Sequence, residues 1–323
     1  HLRVAIRWGF RKIMDKIAII GSGLIGQGWA AVFAQAGYEV AMYDASQEAA
    51  SRALTSMETR IADLVEFDLV DAAQAPEILK RITVANRIEA AVDGAIYIQE
   101  NGPENLGFKK EITQALDALA AKDIPIGSST SGITASSYCE GIAGRHRCLV
   151  VHPINPPHLI PAVEIVPTAW TDPDITSAVN ELMLSCRRET IVLNEEIDGF
   201  VVNRLQGALL EEAFKLIGDG IVSATDLDKA VSHGLGLRWS FMGPMQTIHL
   251  NAPEGVAQYV ERYGGMYRNF KIGPYDDVDW ASIAAERLEA ELTEKTPLAD
   301  IADAQVTRDR KLMALLRHKA KGE

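Results

Sequence analysis

Two ionisable side chains stand where strand-like sequence can bring them together. The run from Cys148 to Pro167 reads CLVVHPINPPHLIPAVEIVP. Cys148 to Val151 are apolar and lead to His152, and the loop that follows carries Pro153, Pro156, Pro157 and Pro161, whose fixed φ angles hold the histidine in place. A second β-like run, Ala162 to Val166, has Glu164 in its apolar middle. A carboxylate there is costly without a partner, and an imidazole at the end of a neighbouring strand is a suitable one. Such a pair makes a base oriented by an acid; it equally makes a satisfied core histidine, and this stretch alone leaves both open.

Three further places carry chemistry. Ser128, Ser129, Thr130, Ser131 and Gly132 follow a short strand, so their hydroxyls can cap a helix or face a bound ligand. Asn203 is a polar residue early in an otherwise apolar helix. Arg238 stands among the apolar residues of the run Gly234 to Pro244, where a guanidinium captures a carboxylate in bidentate fashion or closes a structural ion pair.

The elements that position these residues are legible from period and punctuation. Ile13 to Ile20 reads as a strand entering GSGLIGQG, in which Gly21, Gly23 and Gly26 match G-x-G-x-x-G around Leu24 and Ile25, and a helical pattern follows and stops at Gly37. The glycines permit a tight turn, close approach to a pyrophosphate and helix-to-strand packing. A second strand, Glu39 to Tyr43, ends at Asp44, 18 residues beyond Gly26, where an acid accepts from ribose hydroxyls and repels a 2′-phosphate; the expected cofactor is NAD. Ser46 to Lys80 reads as long helix broken near Pro76, with Asp63, Glu66, Asp68, Asp71 and Glu77 between Arg60 and Lys80 and no basic residue among them. Further strands are expected at Ile82 to Val84, Ala95 to Gln99, Ile124 to Gly127 and Thr190 to Leu193. The loop from Gln99 to Asn105, which contains Glu104 and precedes Lys109, then faces the crevice at the carboxyl ends of the strands. Past Asn194 the period is helical, with turns at Gly218 to Gly220 and Gly234 to Gly236.

The fold class is therefore α/β: residues 1–13 are a basic leader or tag-like segment, 14–196 a Rossmann-like, doubly wound, mostly parallel sheet, and 197–323 an all-helical substrate and dimerisation domain. The first thirteen residues add four positive charges and no acid, leaving −16 on the remainder of a chain whose total is −12. So acidic a body is a poor match for nucleic acid or an anionic membrane. No apolar run reaches the ~18 residues of a membrane span. Cys139, Cys148 and Cys186 show no metal-ligand spacing and are odd in number, which suits a reduced, cytoplasmic setting without a bound metal.

Taken together, the chain resembles the short-chain L-3-hydroxyacyl-CoA dehydrogenase family, most closely its lambda-crystallin or L-gulonate 3-dehydrogenase branch. The resemblance runs from Met14 to about Asn251 and fades beyond. It implies an active site of Ser131, His152, Glu164 and Asn203, and a nicotinamide-contacting loop with Glu104, Asn105 and Lys109. It also implies NAD-dependent oxidation of a 3-hydroxyl and a homodimer built through the helical domain. Fatty-acyl members usually carry Tyr/Phe-Pro-Met-Gly-Pro where this chain has Arg238 to Pro244, and basic residues on the hairpin that here holds five acids. Both departures point to a small hydroxy acid such as L-gulonate, clamped by Arg238. The alternatives are 3-hydroxybutyryl-CoA, L-carnitine with Trp239 and Phe241 around its cation, and an NAD-binding structural protein of crystallin type.

Overall fold

The computed structural model describes residues 15–321, so the leader expected at residues 1–13 lies outside them. Eight strands form one sheet: β1 (Lys16–Ile20), β2 (Glu39–Tyr43), β3 (Ile82–Val84), β4 (Ala95–Glu100), β5 (Ile126–Ser128), β6 (Cys148–Pro153), β7 (Ala162–Pro167) and β8 (Glu189–Val192). Their order is β3-β2-β1-β4-β5-β6-β7-β8. Every neighbouring pair is parallel except β6 and β7. Strand β1 shows why both faces are covered. Ile17 and Ile19 enter one apolar cluster with Trp29, Phe33, Met57, Ile61, Val179 and Leu182, whereas Ala18 and Ile20 enter another with Val92, Leu116, Tyr138 and Cys139. Period-two alternation with both sets apolar is what a doubly covered sheet demands.

The helices of this unit are α1 (Leu24–Gln35), α2 (Gln47–Glu66), α3 (Ala75–Lys80), α4 (Ile88–Val92), α5 (Leu106–Leu119), α6 (Ala135–Cys139) and α7 (Pro173–Ser185). The expected long helix from Ser46 to Lys80 is two helices, and its break is earlier than Pro76. Ser46 caps α2 by accepting from the Ala49 N–H at 3.2 Å, and Phe67 closes it; Asp68 then takes φ +56°. Pro76 lies in the first turn of α3, where its missing N–H costs nothing.

The division of the chain also differs from the expected boundary. One compact unit runs to Val201 and takes back the chain from Thr307 onward; the other is Val202–Val306. The C-terminal helix, Ile301–Ala320, therefore ends in the sheet unit, where Met313 is 3% exposed within the core. The helical unit opens with α8 (Val202–Gly218), which ends at a turn where Gly220 has φ +72°. Gly234 to Gly236, expected as a turn, lie inside helix, because Ala224–Lys229, Ala230–Leu235 and Gly236–Trp239 follow one another without interruption.

Candidate active site

An eight-residue loop is too short for a parallel crossover, so β7 returns antiparallel to β6 and sets Glu164 directly opposite His152. The imidazole Nδ1 and the Glu164 Oε2 are 2.7 Å apart, with Glu164 wholly buried and His152 6% exposed. An ionised carboxylate only accepts, so this contact fixes the proton on Nδ1 and leaves Nε2 as the basic nitrogen. The other carboxylate oxygen, Oε1, accepts from the Val201 N–H at 2.7 Å. The Phe200 ring packs on the imidazole with centroids 5.6 Å apart. Behind the loop, His158 lies 2.9 Å from the Arg60 guanidinium; burial, then Arg60 and Arg188, push its imidazole down to about 3.

Strand order reverses at β1, with β2 on one side and β4 on the other, and there the glycine turn faces its neighbour loop. Gly21 has φ +96°, and a Cβ on it would stand 2.8 Å from the Asn101 carbonyl oxygen. A Cβ on Gly26 would meet the Gly21 oxygen at 1.9 Å, whereas around Gly23 there is open space. The first turn of α1, which includes Leu24 and Ile25, has neither a side-chain cap nor an acid, so its positive end is available to a phosphate. Asp44 accepts from the Ser22 N–H and hydroxyl and from the Ser46 N–H, each at 2.9 Å. Burial works to raise that carboxyl, but the three hydrogen bonds more than offset it and keep it ionised below the usual range. These residues fit a dinucleotide with a free ribose 2′-hydroxyl.

Glu104 ties two loops of the crevice. Its Oε1 accepts from the Thr130 hydroxyl at 2.7 Å and from the Ser131 and Gly132 N–H groups at 3.0 Å, and these bonds lower its carboxyl against the opposing effect of burial. Ser131 is thereby held at the crevice, exposed. Thr130, not Ser131, caps the turn, accepting from the Ile133 N–H at 3.0 Å. Asn105 is spent as the cap of α5, accepting from the Phe108 N–H at 3.0 Å.

Lys109, expected to reach the nicotinamide, is turned inward. It is 1% exposed, with Nζ 2.7 and 3.0 Å from the Glu100 oxygens and 3.2 Å from the Gly102 carbonyl. Glu100, itself 1% exposed, also accepts from the Ser128 hydroxyl at 2.6 Å. Sequence reading missed this pair, although an acid closing an apolar strand with a lysine nine residues on was a signal. Ser129, one of the hydroxyls expected to cap or to face a ligand, does neither: its hydroxyl accepts from Trp29 Nε1 at 3.0 Å and Gln99 Nε2 at 2.7 Å and donates to Asn101 Oδ1 at 2.7 Å. Asn203 and Arg238 belong to the helical unit, Asn203 at the second position of α8 and Arg238 exposed on the segment Gly236–Trp239.

The acid run from Asp63 to Glu77, along the end of α2, the turn after it and α3, is partly neutralised within the unit. Arg310 pairs with Glu66 and, at 3.7 Å, with Asp63, and Arg317 pairs with Asp68. Three of the five acids are thus matched by arginines of the C-terminal helix, so the run is a docking surface within the unit and does not argue against a polyanionic substrate.

Residues 16–197 match the family model described as 3-hydroxyacyl-CoA dehydrogenase, NAD binding domain, and residues 199–294 match its C-terminal domain. The chain belongs to the 3-hydroxyacyl-CoA dehydrogenase family. It is an NAD-dependent dehydrogenase with a Rossmann-like domain and a helical domain. It is 39% identical to a lambda-crystallin homolog of Rattus norvegicus over 87% of this chain and 88% of that one. It is 35% identical to an L-carnitine dehydrogenase of Oceanobacillus iheyensis, again over 87% and 88%. Among solved structures, 5-formyl-3-hydroxy-2-methylpyridine 4-carboxylic acid 5-dehydrogenase, an NAD+-dependent dismutase, superposes with a TM-score of 0.79 at 29% identity, covering 94% of this chain and 98% of that one. Among the described residues no helix is long and apolar enough to cross a membrane, and no His, Cys, Asp and Glu cluster could hold a metal ion.

Proposed function

We propose that this dehydrogenase oxidises the 3-hydroxyl of a small hydroxy acid of the L-gulonate type. The observation that carries the alcohol oxidation is the buried His152–Glu164 pair, which leaves one basic nitrogen and compensates the charge that nitrogen acquires. NAD, when bound, supplies the acceptor for the hydride leaving the carbinol carbon. His152 Nε2 takes the hydroxyl proton, and Glu164 stabilises the resulting imidazolium. Ser131 and Asn203 hydrogen-bond the oxygen as it gains alkoxide character, a contribution of about 3 kcal/mol. The glycine turn, Asp44 and the Glu104 loop hold the dinucleotide, with Lys109 supporting that loop.

Arg238 is the candidate carboxylate clamp and now carries the substrate assignment alone, since the acids of α2 are matched internally. A second reading, L-carnitine, is favoured by the aromatic side chains beside it: Trp239 is 38% and Phe241 68% exposed, which suits a quaternary ammonium. A thioester such as 3-hydroxybutyryl-CoA is the third. The buried thiols of Cys139, Cys148 and Cys186 suit a reducing, cytoplasmic setting. The apolar faces of the helical unit suit a homodimer, with a second copy of this chain as the occupant.

The test is NADH formation with L-gulonate, L-carnitine and 3-hydroxybutyryl-CoA in parallel. Preference for L-gulonate, a KM for it raised tenfold or more in Arg238→Met (about 1.4 kcal/mol) and lost turnover with retained NAD binding in His152→Ala are expected. Preference for the thioester, or an unchanged KM in Arg238→Met, rejects the clamp; turnover by His152→Ala rejects the base.

A further inference from the structure

The two residues that close the sheet unit are bound to the His152–Glu164 pair in ways that secondary structure does not require. Phe200 is wholly buried and has φ +50°, a conformation that ring-bearing side chains rarely adopt. Gly199 before it has φ +74°, so two consecutive left-handed residues turn the chain. The turn has two results. It lays the Phe200 ring on the imidazole, and it aims the Val201 N–H at the one Glu164 oxygen that His152 does not use. Each carboxylate oxygen then has a fixed donor, 2.7 Å away in both cases, and the carboxylate cannot rotate without breaking one of them.

Resting on the assignment of His152 as base, we propose that Phe200 is a positioning residue for the reaction, acting through a clamp made of its ring and the Val201 N–H. The ring keeps water off the imidazole–carboxylate bond, and the N–H pins the carboxylate in the orientation that fixes the imidazole tautomer. Conformations of this kind persist only where surroundings over-determine them, and here an apolar cluster with Val150, Val166 and Leu193 holds the Phe200 ring against the imidazole.

Three substitutions separate the two parts. Phe200→Gly keeps the left-handed backbone at no cost and removes the ring. Phe200→Ala removes the ring and also disfavours the backbone that aims the Val201 N–H. Phe200→Leu keeps apolar bulk over the imidazole. Relative to wild type, kcat/KM is expected to fall about tenfold in Phe200→Gly and several-fold further in Phe200→Ala, and to recover to within roughly threefold in Phe200→Leu. The loss in Phe200→Gly should fall on kcat, with KM within about twofold of wild type, because a loosened carboxylate disorders the base and not the substrate contacts. The dissociation constant for NAD, read by fluorescence, should stay within about twofold of wild type, since the dinucleotide turn is untouched. A Phe200→Gly enzyme that binds NAD with wild-type kcat/KM overturns the proposal. So does a loss that falls on KM with kcat unchanged, or one that Phe200→Leu does not recover. Turnover by His152→Ala would instead remove the base on which the clamp acts, so the two failures are distinguishable.

Discussion

Lys109 and Glu100 illustrate how a buried charge pair does its work through what it holds. Both are 1% exposed, and desolvating two ions costs several kcal/mol each unless every donor and acceptor is used. Here the ammonium meets both carboxylate oxygens and the Gly102 carbonyl, while Glu100 also receives the Ser128 hydroxyl. The pair therefore fixes the ends of β4 and β5, and with them the loop carrying Asn101 and Glu104. Lys109→Met should strand an unpaired buried carboxylate and cost about 3–5 kcal/mol, with weaker NAD binding as a consequence of the loosened loop. Adding Glu100→Gln should return most of the lost stability. Thermal unfolding with and without NAD reads both effects. An unchanged Tm with NAD binding lost would show instead that Lys109 serves the cofactor directly.

At the scale of elements, the C-terminal helix and α2 meet through an apolar seam edged by ion pairs. Met313 is 3% exposed, Leu312 and Leu316 pack beside it, and the Arg310 guanidinium lies over the Phe67 ring at 4.9 Å. Exposed ion pairs contribute little, whereas truncating a buried methionine costs about 2–5 kcal/mol. Met313→Ala should therefore lower Tm clearly more than Arg310→Ala; the opposite ranking would make the charges the principal fastening. Neither side of this seam announces itself in sequence. Asp63, Glu66 and Asp68 read as part of an acidic hairpin that would repel a polyanion, and their arginines lie some 250 residues away in sequence. The legible parts were those that local pattern decides: the glycine turn between β1 and α1, the acid after β2, and the apolar alternation of the buried strands. The break at Phe67 was not legible, because a non-glycine residue at positive φ carries no compositional mark. Gly234 and Gly236 misled in the opposite sense, since both lie within uninterrupted helix.

For the molecule as a whole, the helical unit leaves much apolar surface open. On α8, Ala213 and Ile217 are buried and Phe214 stacks on Trp280 at 4.4 Å, so these residues face the unit's own core. Leu205, 66% exposed, and Leu209, 39%, do not. The helix Val256–Asn269 adds an open stripe: Val256, Val260, Tyr263 and Tyr267 follow at spacings of four, three and four residues, and Phe270 continues it. Tyr259, Tyr263 and Tyr267 have neighbouring rings, with centroids 4.9 and 6.4 Å from Tyr259. A helix whose apolar stripe faces solvent has an unsatisfied hydrophobic face, and patches beyond a few hundred Å² mark association sites. Symmetric pairing of two copies is the arrangement most oligomers adopt, and a stable one buries about 1,200–2,000 Å² in total. Sedimentation at micromolar concentration should accordingly show a dimer. The double variant Val260→Glu with Tyr267→Glu should shift it to monomer, because placing carboxylates on both copies of an apolar seam sets like charges against each other without touching the core around Ile217. A wild-type monomer at that concentration would sink the dimer, and a variant that stays dimeric would move the interface to the Leu205–Leu209 face of α8.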